Sequence, residues 1–289
     1  MKARSKILIK QLIWAGLQGI DCIGSKNERG KKVYTRTLEE NLFVDSLSES
    51  TARSFSQGDG NELSKGKYPG KMQALHSSSA LGVNVFEYWK QNGGASEIAL
   101  ACGLVRKGSD APQDIVFEVK FPINDKFAIA PNIDIVINNK EGSTVKALAI
   151  ECKYSEAYGG RGHGGLKEAY LSDCEKLWQD IPNLKALAES ISPDDDRFKY
   201  LHAAQLIKHI LGLKRAYGKK GFRLLYLWYN VFGDEGERHR IEAEEFANCA
   251  LADGILFHVL TYQALIERMA KTLGNEHRSY INYLVTRYL

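Results

Sequence analysis

Asp134 stands in PNIDIVI, and after a gap of 16 residues Glu151 and Lys153 stand in IECKYSE. The run ALAIECKY that carries the second pair is small, aliphatic and aromatic, the composition of a buried strand. Alternation along a strand sets Ala147, Ala149, Glu151 and Lys153 on one face and Leu148, Ile150, Cys152 and Tyr154 on the other. Two charges at a strand end beside a core are costly unless they are paired, bound to metal or catalytic. The Asn-Lys-Glu-Gly turn at 139–142 predicts an antiparallel hairpin, in which the start of one strand lies beside the end of the next. Asp134 then meets Glu151 and Lys153. Two converging carboxylates repel unless a cation lies between them. Mg²⁺ fits, because it takes one or two carboxylates together with waters and phosphate oxygens, and Mn²⁺ is its natural substitute. The backbone carbonyl of Cys152 offers a further oxygen. Lys153 would hold or activate a water, or stabilise charge on a phosphate. A metal ion and a lysine suffice for phosphodiester hydrolysis. The plain alternative is a same-face ion pair between Glu151 and Lys153.

The elements that must position these residues are legible around them. DIVFEVKFPI (114–123) alternates as a strand, followed by strands over 130–142 and 144–156. Before them, HSSSALGVNVFEYWKQ reads as a helix with a serine cap at 77–79, and after them RFKYLHAAQLIKHILGLKRAYG (197–218) reads as an amphipathic helix stopped by Gly218. YGGRGHGG (158–165) reads as a loop, FRLLYLWYNVF (222–232) as a buried strand, and the remainder as mostly helical with a further strand in GILFHVLTY. The order helix, three strands, helix, strand predicts an α/β arrangement with a mixed sheet.

Composition narrows the class. The chain has 289 residues, 44% hydrophobic and 26% charged, as in ordinary globular proteins. A net charge of +4 permits a polyanionic partner without requiring one. The five cysteines, Cys22, Cys102, Cys152, Cys174 and Cys249, form no CxxC pair, which argues against a structural zinc site or a disulfide framework. No apolar run reaches the ~20 residues of a membrane span. MKARSKILIKQLIWAGLQGI reads as an amphipathic helix, its apolar run interrupted by Lys10 and Gln11, and GSKNERGKK after it as a basic loop. A cytoplasmic protein without a membrane partner is expected.

The array resembles the PD-(D/E)XK nuclease superfamily, with its restriction-endonuclease-like fold. Asp134, Glu151 and Lys153 occupy the motif's Asp, Glu and Lys, although Asn132-Ile133 stands where the name places a proline directly before the Asp. GDGNEL, KMQALHSSSALGVNVF, APNIDIVI, AIECKYSE and KYLHAAQLIKHILGL resemble segments of bacterial restriction-endonuclease-like proteins, over residues 58–230. The resemblance implies an α/β fold with a restriction-endonuclease-like core, a central mixed β-sheet flanked by helices. It implies one nuclease domain over 1–289, with an N-terminal extension (1–57), a core (58–232) and a mainly helical C-terminal embellishment (233–289). It implies a Mg²⁺-dependent endonuclease of restriction, defence or mobile-element type acting on DNA, and admits a homodimer. The alternatives are an RNA-directed nuclease and a nucleic-acid-binding subunit without turnover.

The resemblance also implies accessory residues. Gln205, on the helix after the Glu-x-Lys strand, would support the lysine, and His202 and His209 share its polar stripe. Glu62 in GDGNEL would stand beside the metal, although an acid near a helix start is favourable without function. Glu118 in IVFEVKF could face the same side of the sheet, although a surface charge on its strand is the preferred reading. Ser77, Ser78, Ser79 and Asn84 could touch phosphate at a helix N-terminus. YGGRGHGG lacks the Gly-Lys-Ser/Thr ending of a nucleotide loop, and its place after the strand suits Arg161 and His163 reaching a DNA backbone. The basic clusters Lys65-Lys67-Lys71 and Lys214-Arg215-Lys219-Lys220-Arg223 could line a groove or be solvated faces.

Overall fold

A computed structural model of the chain describes residues 1–25, 31–58, 60–64, 66–125, 127, 130–160, 162–172 and 175–289. Part of the basic stretch GSKNERGKK, together with Lys65, Arg161 and Cys174, lies outside the described residues.

The helices are α1 (Ala3–Leu17), α2 (Glu49–Gln57), α3 (Ser78–Gln91), α4 (Ala95–Ala101), α5 (Glu175–Trp178), α6 (Pro182–Ser190), α7 (Ala203–Tyr217), α8 (Asp234–Ala252), α9 (Tyr262–Leu273) and α10 (Arg278–Tyr288). The strands are β1 (Pro112–Lys120), β2 (Asn132–Asn139), β3 (Ala147–Lys153), β4 (His163–Gly164), β5 (Asp194–Asp195), β6 (Phe222–Trp228) and β7 (Phe257–Thr261). Five strands form one mixed sheet in the order β1-β2-β3-β6-β7. β1, β2 and β3 run antiparallel, and β3, β6 and β7 run parallel. The short β4 and β5 pair with each other.

Each face of the sheet carries its own apolar core. Leu148, Ile150, Cys152 and Tyr154 pack with Leu81 and Phe86 of α3, Ile98 of α4, Leu265 of α9 and Leu284 of α10. Ala147 and Ala149 pack with Leu184 of α6, Leu206 and Ile210 of α7 and Phe246 of α8. A sheet covered on both faces explains why β3 and β6 read as nearly continuous apolar runs. Ser77 caps α3 by accepting the Ala80 N–H, and Gly218 ends α7 at φ 72°.

The first helix joins the last one. The Arg287 guanidinium of α10 is fully buried, lies 3.9 Å above the Trp14 ring of α1 and donates to Gln11 Oε1 at 2.9 Å. Phe55 of α2 packs on Phe117 of β1 with ring centroids 5.7 Å apart. Among the described residues no helix is long and apolar enough to cross a membrane.

Candidate active site

The hairpin register decides the site. Ile135 pairs with Ile150, so the next positions outward are Asp134 and Glu151. The contact itself is made one residue further, where Asp134 Oδ2 accepts the Cys152 backbone N–H at 2.7 Å. On the other side of β2, Glu118 of β1 falls opposite Asp134, between the pairs Phe117–Ile135 and Val119–Ile133. Three carboxylates thus lie in one row across three neighbouring strands. Of the two readings of Glu118, the same-face one holds and the preferred surface charge is corrected. Its backbone turns left-handed there, at φ 57°, and its carboxylate accepts from Asn132 Nδ2 in the partly buried row. A non-glycine residue at positive φ is strained, and such strain persists only where its surroundings impose it.

Lys153 closes the row. Its ammonium donates to Glu151 Oε1 at 2.6 Å and to Gln205 Oε1 of α7 at 3.0 Å. The second Glu151 oxygen lies 2.9 Å from His209 Nε2, at an angle that makes no hydrogen bond, so Glu151 Oε2 is buried without a donor. His209 lies four residues after Gln205, on the same helix face, which is the sequence signal for its place beside Glu151.

Burial and mutual repulsion set the charges. Burial pushes the Asp134 carboxyl well up, and the Glu151 charge adds to it. Burial also works to raise Glu151, but Lys153 and His209 outweigh it and hold that carboxyl at about 2. Glu118 is raised to about 7 by burial, with Glu62 and Glu151 adding to it. Burial works against the Lys153 ammonium, yet Glu151, Glu156 and Asp134 together push its pKa above the ordinary lysine range.

These groups fit a hard divalent cation. A buried carboxylate oxygen without a donor and an aspartate forced toward its neutral form are both relieved by positive charge between the strands. Among the described residues no three His, Cys, Asp or Glu side chains close on one point as a metal cage. Asp134 and Glu151 are the carboxylates that would face such an ion.

The family described as "Restriction Endonuclease associating with ARP" matches residues 17–289. The chain belongs to that family. No curated protein and no solved structure matches it. The mixed sheet flanked by helices is the restriction-endonuclease-like arrangement, and membership marks the chain as nuclease-like.

The other residues singled out from the sequence divide by distance from the row. Glu62 joins it: its carboxyl accepts from the Ser79 side chain at the start of α3, near Glu118, and burial raises its pKa against the pull of Ser79 and Lys71. Lys71 is exposed, and Ser78 opens α3. Cys152 enters through its backbone, because its thiol lies on the opposite face, under Gly82 of α3. His163 stacks on His202 with ring centroids 4.6 Å apart, and burial lowers both, His202 to about 4. The pair thus borders the site as neutral rings at neutral pH.

Two groups leave the site. Asn84 is buried and structural: its Oδ1 accepts the Phe43 N–H, and its Nδ2 donates to Asn41 O and Tyr288 Oη. The cluster from Lys214 to Arg223 starts in the last turn of α7, about 13 Å along the axis from Gln205. There Lys214 donates to Leu177 O, Arg215 pairs with Asp125, Lys219 donates to Asp180 O and Arg223 donates to Leu104 O.

Proposed function

We propose that the chain is a metal-dependent endonuclease that hydrolyses DNA phosphodiester bonds, with Mg²⁺ as its ion and Mn²⁺ as a substitute. The observation that carries this reading is the Lys153–Glu151 pair set beside Asp134 across two antiparallel strands. Asp134 and Glu151 would hold the ion, with the Cys152 carbonyl as a further oxygen. When bound, such an ion polarises the phosphoryl oxygen and lowers the pKa of water. Lys153, held as an ammonium by the surrounding carboxylates, donates hydrogen bonds to the attacking water and to the charge that grows on the phosphate. Gln205 fixes where that ammonium points, and His209 restricts the Glu151 carboxylate from the other side. Glu118 and Glu62 extend the negative row, with Lys71 and Ser78 at its margin toward the substrate backbone.

The test is supercoiled plasmid incubated with wild type and Lys153→Ala in Mg²⁺, Mn²⁺ or EDTA. Nicking or linearisation that needs a divalent ion and disappears in the variant is expected. Equal cutting by both proteins would place the activity elsewhere. Metal-independent binding of DNA with no cutting by folded wild type would favour a binding subunit.

A further inference from the structure

A cleft of about 440 Å³ opens beside the carboxylate row and shares Glu62 with it. Most of its lining comes from two separate stretches of chain, joined by Ile23 and Gln73. Arg36 and Leu38 come from the segment before α2, and Glu62, Leu63, Lys67 and Tyr68 come from the loop after α2. Hydrogen bonds tie the first wall and the base of the second. Gln73 is buried, and its amide donates to Thr35 O at 3.1 Å and Arg36 O at 3.0 Å. The loop is closed at its base, where Met72 N donates to Glu62 O at 3.0 Å and Lys71 N to Asn61 O at 3.3 Å.

The lining has a definite chemistry. Tyr68 keeps 45% of its surface exposed and gives the cleft an aromatic ring. Arg36 brings an exposed guanidinium, whose own acidic neighbour, Asp21, lies at a loose 3.9 Å. Lys67 supplies a second cation. Leu38 and Leu63 supply apolar wall. The one carboxylate among these lining residues, Glu62, stands at the end nearest the row and is occupied by Ser79. An aromatic face with apolar walls suits a planar base, and the Arg36 and Lys67 cations suit the phosphates joined to it. A space of this size takes one small molecule.

We infer that this cleft binds one unpaired nucleotide of the substrate strand, its base stacked on Tyr68 and its phosphates met by Arg36 and Lys67. The inference rests on the nuclease reading above and deepens it. The strand that passes the carboxylate row would place a nucleotide next to the scissile phosphate in the cleft. Substrates with a single-stranded or extruded nucleotide would then be preferred over continuous duplex.

Fluorescence anisotropy in EDTA separates binding from turnover, with labelled single-stranded and blunt duplex DNA oligonucleotides as probes. Tyr68→Ala should weaken single-strand binding roughly five- to hundredfold, and Tyr68→Phe, which keeps the ring, should restore it. Lys67→Ala should lower the salt slope of binding by about one and tests the same cleft if Tyr68→Ala does not fold. Wild-type affinity in Tyr68→Ala, or an unchanged salt slope in Lys67→Ala, would overturn the inference and leave the nuclease reading standing. Failure of wild type to bind any of the probes while it still nicks plasmid would also overturn the inference alone. Failure to bind and failure to nick together would overturn both.

Discussion

The Lys153 ammonium lies 2.6 Å from Glu151 Oε1, two residues back on the same strand face, with Glu151 only 1% exposed. Removing one member of a buried pair strands the other's charge, whereas replacing both by apolar groups does not. Lys153→Met should therefore cost about 3 kcal/mol or more of stability. The double variant Lys153→Met, Glu151→Leu should recover most of that loss. Denaturant unfolding of the three proteins measures it, and a double variant less stable than Lys153→Met would contradict it. Neither variant should cut DNA, so stability and activity part company in the double variant.

Glu118 gives the fold a pH dependence of unusual sign. Its carboxyl is raised from 4.5 to about 7 by burial and by Glu62 and Glu151, so the folded chain binds that proton more tightly than the unfolded chain. The resulting stability is fully present below pH 4.5 and is lost as pH rises through about 7. Glu118→Gln removes the titration. Its stability relative to wild type should rise by on the order of 3 kcal/mol between about pH 4.5 and about pH 8. Glu151 acts in a separate window, since its carboxyl is held at about 2 and its contribution is lost only as pH falls below 4.5 toward that value. Melting curves of wild type and Glu118→Gln across that range decide the point. A difference that stays flat with pH would mean that Glu118 is not buried in the row.

Glu242 of α8 holds the approach to α7. Its carboxylate is 4% exposed and accepts the backbone N–H groups of Lys199, Tyr200 and Leu201, at 3.0, 2.7 and 3.0 Å. That turn leads directly to His202 at the N-cap of α7, and so sets where Gln205 meets Lys153. Glu242→Ala leaves these donors without their acceptor and should cost at least about 2 kcal/mol. Plasmid nicking should fall in parallel with Gln205→Ala. Wild-type unfolding and nicking in Glu242→Ala would show that the turn holds itself.

The two central strands and the helix after them were legible because local rules govern them. The turn residues after β2 mark a hairpin, whose connection runs on to Lys146, and the pairing of Asn138 with Ala147 brings Asp134, Glu151 and Lys153 together. The long amphipathic segment gave α7, although its first turns proved to be the Glu242-bound approach. Glu118 was only partly legible, since alternation reports its face but not the positive φ of its backbone. Position 118 lies opposite the Ile115–Phe117 face by counting, but counting does not say that this second face is covered. The link between Arg287 and Gln11 joins positions 276 apart, and no periodic pattern reports such a contact. The Tyr68 cleft likewise needs Gln73 to bring together two loops that the sequence shows only as polar.

Gly212 explains how α7 comes close enough for Gln205 and His209 to reach β3. A Cβ at this position would stand 2.5 Å from Phe121 O and 2.9 Å from Phe121 Cβ, just beyond the end of β1. The obstacle is partly backbone, so no rotamer change clears it. Gly212→Ala must lift α7 from the sheet edge or distort residue 121. In other helix interiors alanine would stabilise relative to glycine. Here overpacking should dominate, with a net loss of about 1–3 kcal/mol. The same displacement should loosen the Lys153–Gln205 contact, so nicking should fall more than stability alone accounts for at a temperature where the variant is fully folded. Gly212→Ser should behave like the alanine variant, because the conflict begins at Cβ. An alanine variant that is as stable and as active as wild type would mean that α7 can shift without consequence for Gln205.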